Sequence, residues 1–440
     1  MQRIQRLSAI GIVCLWAVTV FAARTACAEL TPEEKKLNLE SFDYVWTTIH
    51  EKHFDTTFGG LDWPAAFDEL RPKVEAAESM SEVRAILNDL ISRLGLSHFG
   101  IIPREAYEDI ERSPRKGDAG GQTGIDIQIL DNQAVVVRVD ADSPADDAGI
   151  KTGWKIMRIG GEDIDPILES IADKFADNAR LEIYQTRSAR SRLEGPIGDS
   201  ILVVFGDADD REIATNLELI APRGKKAIFG NLPPFYLTTV TDTLENGIGY
   251  FSFSVFFDPT TLMTAFNDAM TSFMSAPGLI IDIRGNPGGI GTIAQGMAGW
   301  LIDEKKLYLG TLSTRDTKLK LIVNPRARTF GGPVAILVDG LSGSSSEFFA
   351  GGLQDLGRAL IFGKRTIGAA LPSAIERLPN GDGFQYVSAN YVSRSGRSLE
   401  GNGVIPDRLV QHTRAALLDG RDLVMEAAVE WIEQQKYTPR

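Results

Sequence analysis

The spacing of apolar positions changes twice along the chain. From residue 29 to about 112 the period is helical. Phe42, Val45, Trp46 and Ile49 recur at three- and four-residue steps in "SFDYVWTTIHEKHFD", which puts them on one helix face. "DWPAAFDEL" predicts a second helix, with Asp62 as N-cap and Pro64 in the first turn. "SMSEVRAILNDLISRLG" predicts a third. Ser79 and Glu82 have capping-box spacing, Met80, Val83, Ile86, Leu87, Leu90, Ile91 and Leu94 form one stripe, and Gly95 ends it.

From 113 to about 222 the period shortens to two. "IDIQIL" and "QAVVVRV" flank the turn Asp131-Asn132 and predict an antiparallel pair. An amphipathic piece runs from Pro166 to Phe175, and "SARSRLEGPIGDS" reads as a polar, loop-like insertion. Ile201–Phe205 and Ile213–Leu219 predict a closing hairpin. From 223 onward strands and helices alternate. Ile248–Val255, "GLIID", "VAILV", "RALIFG" and "FQYVSANYV" read as strands. Thr260–Met274, Ile293–Trp300 and Leu423–Ile432 read as helices. That alternation predicts a layered α/β core with crossover helices. A chain of 440 residues has room for two or three domains.

The first 28 residues differ from all of these. Arg3 and Arg6 precede an apolar stretch from Leu7 to Ala23, and Ala26-Cys27-Ala28 is a small-x-small site. That pattern predicts a secretory signal peptide cut before Glu29, hence an exported protein, periplasmic or secreted. An uncleaved anchor is the alternative, but the apolar run is short for a span. Arg24 stands where a lipobox needs an apolar residue. Both cysteines, Cys14 and Cys27, lie in this segment. The remainder therefore offers no disulfide, thiol nucleophile or cysteine-ligated metal. The segment holds three Arg and no acid, so its removal takes the net charge from −13 to −16. Such a charge argues against nucleic acid or an anionic membrane surface as partner.

Candidate chemistry concentrates in "VDGLSGSSSEFFAGG". The apolar run Val334–Val338 stops at Asp339-Gly340, four serines follow (Ser342, Ser344, Ser345, Ser346), and Glu347-Phe348-Phe349 opens a helix. A serine hydroxyl attacks only when a base takes its proton. Without cysteine, the base that works near neutral pH is histidine. His50 and His53 sit inside a helical pattern and read as structural or surface residues. His412 lies in a polar segment and reads as solvated. His98 sits just past a capped helix, beside Ser97, in "LGLSHFGIIP". On these residues alone, a buried structural His98, helix-capping serines and an ordinary glycine turn in "GNPGG" all stay open.

Five segments occur in a familiar order: "SRLGLSHFG", "GLIIDIRGNPGG", "SGSSSEFFAGGLQD", "GKRTIGAA" and "LEGNGVIPD". Together they resemble the C-terminal processing protease superfamily, in its tricorn-core-like branch, over nearly the whole mature chain. The resemblance implies a multi-domain α/β (α+β) protein. Its parts would be a signal peptide (1–28), an N-terminal helical domain (29–112), a PDZ-like domain (113–222) and a peptidase core (223–440). That core would have the crotonase/ClpP-like spiral αβ fold. The family motif Ser-x-x-Glu selects Ser344 as nucleophile, with Glu347 three positions on. Members with a Ser-Lys dyad carry lysine after the glycine of T-x-G, whereas this chain has Thr366-Ile367-Gly368-Ala369. Lys364 is out of register, since a strand advances about 3.3 Å per residue. The histidine-based branch implies instead that His98 moves the proton and that Ser97 and Glu400 orient it. By the same resemblance, the oxyanion donors are the backbone of Ser345, Gly288 and Gly289.

Residues 113–222 resemble a PDZ domain through Ser143-Pro144-Ala145, Ala148-Gly149-Ile150, Gly153 and Ile156 with "RIGG". Trp154 stands where that family usually has Asp. Gly120–Ile125 would be the loop that receives a peptide carboxylate, with Thr123, Gly124 and Ile125 at its end. A small β domain without a peptide role is the alternative. The resemblance implies an exported, metal-independent and cofactor-free serine endopeptidase. Its substrates would be unfolded or flexible polypeptides, and it leaves room for a homo-oligomer. The alternatives are an inactive protein on the same fold that binds peptides or hydrophobic ligands, and a small-ester hydrolase.

Overall fold

The computed structural model describes residues 29–107, 115–175 and 181–435. The expected signal peptide, with Cys14 and Cys27, lies outside the described residues. The chain opens with α1 (Pro32–Lys52), α2 (Trp63–Ala76) and α3 (Met80–Ser92), followed by β1 (Gly100–Ile102). Each helix start satisfies an orphan N–H with a side chain. Thr31 Oγ1 accepts from Glu34 N at 3.3 Å, while Glu34 Oε2 accepts from Thr31 N at 2.9 Å. Asp62 Oδ1 accepts from Ala65 N at 2.9 Å. At α3 only half of the expected box forms. Ser79 Oγ accepts from Glu82 N at 3.2 Å, but the Glu82 carboxylate accepts from Glu78 N at 2.9 Å instead of from Ser79 N.

The insertion comprises β2 (Ile125–Leu130), β3 (Gln133–Val139), α4 (Pro144–Asp147), β4 (Lys155–Ile159), β5 (Glu162–Asp163), α5 (Ile164–Phe175), α6 (Leu181–Ser191), β6 (Ser200–Gly206) and β7 (Glu212–Glu218). Its antiparallel sheet has the order β2-β3-β4-β6-β7 and packs a separate core that includes Ile127, Val136, Ile156, Val203 and Phe205. The start of the expected polar loop, Ser188–Ser191, is the last turn of α6. Its pattern hid the helix because the buried face of α6 includes Gln185 and Thr186 beside Ile183 and Ala189. Gln185 is satisfied there, donating to Leu168 O at 2.9 Å.

The core adds β8 (Lys225–Ala227), β9 (Phe235–Leu237), β10 (Thr239–Thr243), β11 (Gly249–Phe253), α7 (Pro259–Phe273), β12 (Leu279–Asp282), α8 (Gly291–Ala298), β13 (Tyr308–Ser313), β14 (Lys318–Ile322) and β15 (Val334–Val338). It continues with α9 (Ser345–Asp355), β16 (Leu360–Gly363), β17 (Ser373–Arg377), β18 (Gly383–Val387), β19 (Asn390–Ser393), β20 (Arg408–Leu409), α10 (Arg414–Leu418) and α11 (Leu423–Gln434). The central sheet runs β10-β11-β12-β15-β16-β20 and is parallel from β11 to β20. Every residue of β12 and β15 is buried, as strands covered on both faces require. Alternate side chains serve the two faces. Leu279 and Ile281 join the cluster of α7, α8 and α9, while Ile280 joins Val424, Ala428 and Ile432 of α11. The expected single strand "FQYVSANYV" is two strands, β18 and β19, in different sheets.

The N-terminal helices share their core with the C-terminal third. Phe42, Trp63, Leu87 and Phe99 cluster with Leu371, Phe384 and Tyr386, and β1 pairs with β18. Arg84 of α3 grips the fully buried Asp382 with Nε at 3.0 Å and Nη2 at 2.7 Å. The link between α3 and β1, which holds Ser97 and His98, is thereby fixed against residues nearly 300 positions later. Leu87 is fully buried at this seam, so Leu87→Ala should destabilise the protein by about 2–5 kcal/mol. The measurement is a fall in the urea midpoint at unchanged slope.

Candidate active site

The four serines have different surroundings. Ser342, Ser345 and Ser346 are fully buried. Their hydroxyls donate to Ile283 O at 2.8 Å, Gly289 O at 2.7 Å and Asn286 O at 2.9 Å, respectively. Ser344 alone keeps partial exposure. It caps α9, where exposed N–H groups and the helix dipole favour negative charge. Its backbone sits at φ 52°, ψ −115°, a region a residue with a Cβ rarely enters. Such strain costs on the order of 1–3 kcal/mol and persists only where neighbours over-determine it.

Two acceptors hold that conformation. Ser344 N donates to Ala369 O at 2.9 Å and to Glu347 Oε2 at 3.1 Å. The Glu347 carboxylate also accepts from Thr366 Oγ1 at 2.5 Å, Gly368 N at 2.8 Å and Ala369 N at 3.0 Å. Glu347 is fully buried, and burial pushes its carboxyl up to about 7 while these donors pull it down. The motif spacing drew attention to Glu347, but its binding of the 366–369 strap was not visible in the sequence.

The other side of the same strap holds the histidine. Ala370 N donates to Glu400 Oε2 at 3.0 Å. Glu400 also accepts from Ser97 N at 2.9 Å and from Ser97 Oγ at 2.8 Å. Ser97 Oγ lies 2.7 Å from His98 Nδ1. A hydroxyl has one proton, and an ionised carboxylate can only accept. Ser97 therefore donates to Glu400 and accepts from His98 Nδ1–H. The neutral imidazole then carries its lone pair on Nε2, the nitrogen suited to receive a proton. His98 adopts φ 61°, which turns it out of the fully buried run formed by Ser97, Phe99 and Gly100. Ser344 and Glu400 thus bond to adjacent residues of one strap, Ala369 and Ala370, and Glu400 in turn holds Ser97 beside His98.

The glycine turn packs directly on the nucleophile loop. Gly288 has φ 101°, and a Cβ there would lie 2.6 Å from both Gly343 O and Ser344 Cβ. Its N–H donates to Asn286 Oδ1 at 2.9 Å, which removes Gly288 from the expected oxyanion donors. Asn286 uses its other end on Phe253 O at 3.0 Å and so fixes the turn. Gly289 and Ser345 differ: among the described residues, neither N–H meets an acceptor. Asp339, also unnoticed in the sequence, ties the loops together. Its Oδ1 accepts from Gly285 N at 2.9 Å, Leu341 N at 3.0 Å and Ser342 N at 3.1 Å. The Asp-x-x-Ser spacing of a side-chain-capped turn was the available signal.

The remaining candidates lie elsewhere. His50 stacks on Trp46 at 4.8 Å. His53 is buried among Phe54, Phe58 and Phe99, and burial pushes its pKa down to about 4. His412 is not solvated as expected. It packs beside the half-buried Arg284 and Asp422, with Nε2 3.4 Å from Arg284 Nη1, and desolvation lowers its pKa. Its ring alone is covered, beside the ion pairs of Arg284 with Asp282 and Asp422, while Gln411 and Thr413 on either side stay exposed. Lys364 pairs with Glu182 of α6. In the expected carboxylate loop, Thr123 O accepts from Ala145 N at 3.2 Å and Gly124 O accepts from Asp140 N at 2.9 Å. Ile125 N reaches Thr123 Oγ1 at 3.4 Å. The strand that follows this loop touches the core, with Gln128 Nε2 3.2 Å from Asp339 Oδ2.

Residues 247–410 match the model of peptidase family S41, and residues 36–92 match that of the tricorn protease C1 domain. The chain is 24% identical to a carboxyl-terminal-processing protease of Synechocystis sp., over 98% of this chain and 94% of the relative. It is 25% identical to carboxyl-terminal-processing peptidase 3 of Arabidopsis thaliana, over 82% of this chain and 67% of the relative. In fold it is similar to the photosystem II D1 C-terminal processing protease, with a TM-score of 0.55 at 21% identity over 87% of this chain and 94% of that one. Mature CPAF gives a TM-score of 0.61 at 16% identity over 92% and 99%.

The buried carboxyl of Glu347 makes a pH signature. Its folded pKa, about 7, lies above the usual 4.5. Its contribution to stability is therefore fully present below the ordinary value and is lost as pH rises through the folded one. Relative to Glu347→Gln, the native protein should lose up to about 3 kcal/mol of stability between pH 5 and 8. Urea unfolding of both proteins at the two pH values checks this.

Proposed function

We propose, for a chain that carries the serine peptidase domain of family S41, an exported endopeptidase acting on unfolded or flexible polypeptides through Ser344, His98, Ser97 and Glu400. The observation that carries the reading is the hydrogen-bonded path Glu400–Ser97–His98 Nδ1, joined to Ser344 through Ala369-Ala370. In this reading Ser344 Oγ attacks the scissile carbonyl carbon and His98 Nε2 takes its proton. Ser97 and Glu400 then stabilise the imidazolium, as the acid does in a Ser-His-Asp triad. The Ser345 and Gly289 N–H groups receive the oxyanion. The tetrahedral intermediate collapses when His98 returns the proton to the leaving amine. Water, deprotonated by the same imidazole, then releases the acyl group from Ser344.

The insertion serves in this reading as a PDZ-like module. Thr123, Gly124 and Ile125 would receive a peptide carboxylate, and the peptide would extend the sheet at the edge strand β2. Contact of Gln128 with Asp339 supports a module that delivers substrate to the nucleophile loop.

A fluorophosphonate probe should label the purified protein, and Ser344→Ala should abolish both labelling and peptide cleavage. Absence of labelling in the unsubstituted protein would favour a ligand carrier on the same fold, and ester turnover without peptide cleavage a small-ester hydrolase. Ser97→Ala should lower kcat by about 10²–10³-fold with KM little changed, because it removes a group that matters in the transition state. Replacing residues 115–222 by a short linker should slow cleavage of protein substrates and erase any preference for a free C-terminus. Unchanged rate and preference would dismiss the capture role.

A further inference from the structure

Two large apolar side chains stand side by side in solvent beside the oxyanion turn. Ile228 and Phe229 are 53% and 50% exposed. They follow β8 at the tip of the β8–β9 hairpin. The hairpin is otherwise well anchored, for Ala227, Leu232 and Leu237 are buried in the main core. Lys225 Nζ meets Asp258 Oδ2 at 2.7 Å, at the cap of α7. An exposed apolar pair on an anchored element indicates a surface that meets something apolar.

Its position says what that is. The Phe229 ring stacks on Phe257 at 5.6 Å, and Phe235 meets the same ring at 4.8 Å. The preceding residue, Phe256, is paired to the oxyanion turn: its N–H donates to Gly288 O and its C=O accepts from Ile290 N, both at 2.8 Å. From the other side of the tip, Asn231 Nδ2 donates to Ile375 O at 3.2 Å. Ile375 lies on β17, the edge strand that follows the Gly368–Ala370 strap. The tip therefore packs on the residue next to Phe256, which pairs with the turn, and is tied to the strand that begins three residues after the strap.

We propose that Ile228 and Phe229 form an apolar wall of the substrate cleft and select polypeptides with a large aliphatic or aromatic side chain beside the scissile bond. The proposal rests on the reading of Ser344 as nucleophile. Both side chains are half-exposed and neither is a member of the buried core. The wall acts on selection, not on proton transfer.

The test uses the full-length protein, Phe229→Ala and Ile228→Ser/Phe229→Ser, and a peptide library randomised around the cleaved bond. Mass spectrometry of the products gives the preference at each flanking position. The unsubstituted enzyme should prefer large apolar residues at one flanking position. The variants should lose about tenfold of that preference, with cleavage of small-residue peptides and the rate of fluorophosphonate labelling unchanged. Parallel loss for apolar and small-residue peptides, or retained selectivity with a change in oligomeric mass by light scattering, would overturn the wall. No labelling of the unsubstituted enzyme would remove the nucleophile and the wall with it. Labelling with unchanged selectivity in the variants would remove the wall alone.

Discussion

The site depends on the backbone of three small residues, Gly368, Ala369 and Ala370. One buried carboxylate, Glu347, receives the N–H groups of Gly368 and Ala369. A second, Glu400, receives that of Ala370. The carbonyl of Ala369 receives Ser344 N–H. A displacement of this strap would move Ser344 and the support of His98 together. Hydrogen bonds to charged groups are each worth about 1.5–3 kcal/mol net. Several such bonds are enough to hold the strained Ser344 backbone, whose cost is on the order of 1–3 kcal/mol.

The two carboxylates do different work because their surroundings differ. Glu347 is fully buried and its partners are three N–H groups and one hydroxyl. Desolvation opposes its charge, so its proton affinity reports how intact those four bonds are. Glu400 keeps partial exposure and faces Ser97. The Ser97 hydroxyl links it to His98 Nδ1. One carboxylate fixes the backbone of the Ser344 loop and the other holds the hydroxyl that meets His98 Nδ1.

The insertion reaches this arrangement at two points. Ile183 of α6 packs with Leu341, Ile367 and Ala369, so a side chain of the insertion touches the strap itself. Gln128 of β2 meets Asp339, which also binds the backbone of Gly285, Leu341 and Ser342. The N-terminal helices make a third fixed point, since their core includes Leu371 and Phe384. Three stretches of sequence therefore close on one short segment.

Periodicity alone determined much of the architecture. The capped helices, the paired strands of the insertion and the buried strands Leu279–Asp282 and Val334–Val338 follow from local rules about burial and hydrogen bonding. The sequence also marked Ser344, His98, Ser97 and Glu400, through motif order and not through any local pattern. It misjudged α6, whose buried face is partly polar, and His412, whose ring is covered beside an ion-paired group assembled only in three dimensions. Tertiary structure decided which of four adjacent serines keeps an exposed face, which glycine N–H stays unpaired, and that Glu347 and Glu400 meet on opposite sides of one strap. Those outcomes depend on distances between segments up to 300 positions apart, and no rule about neighbours in sequence carries that information.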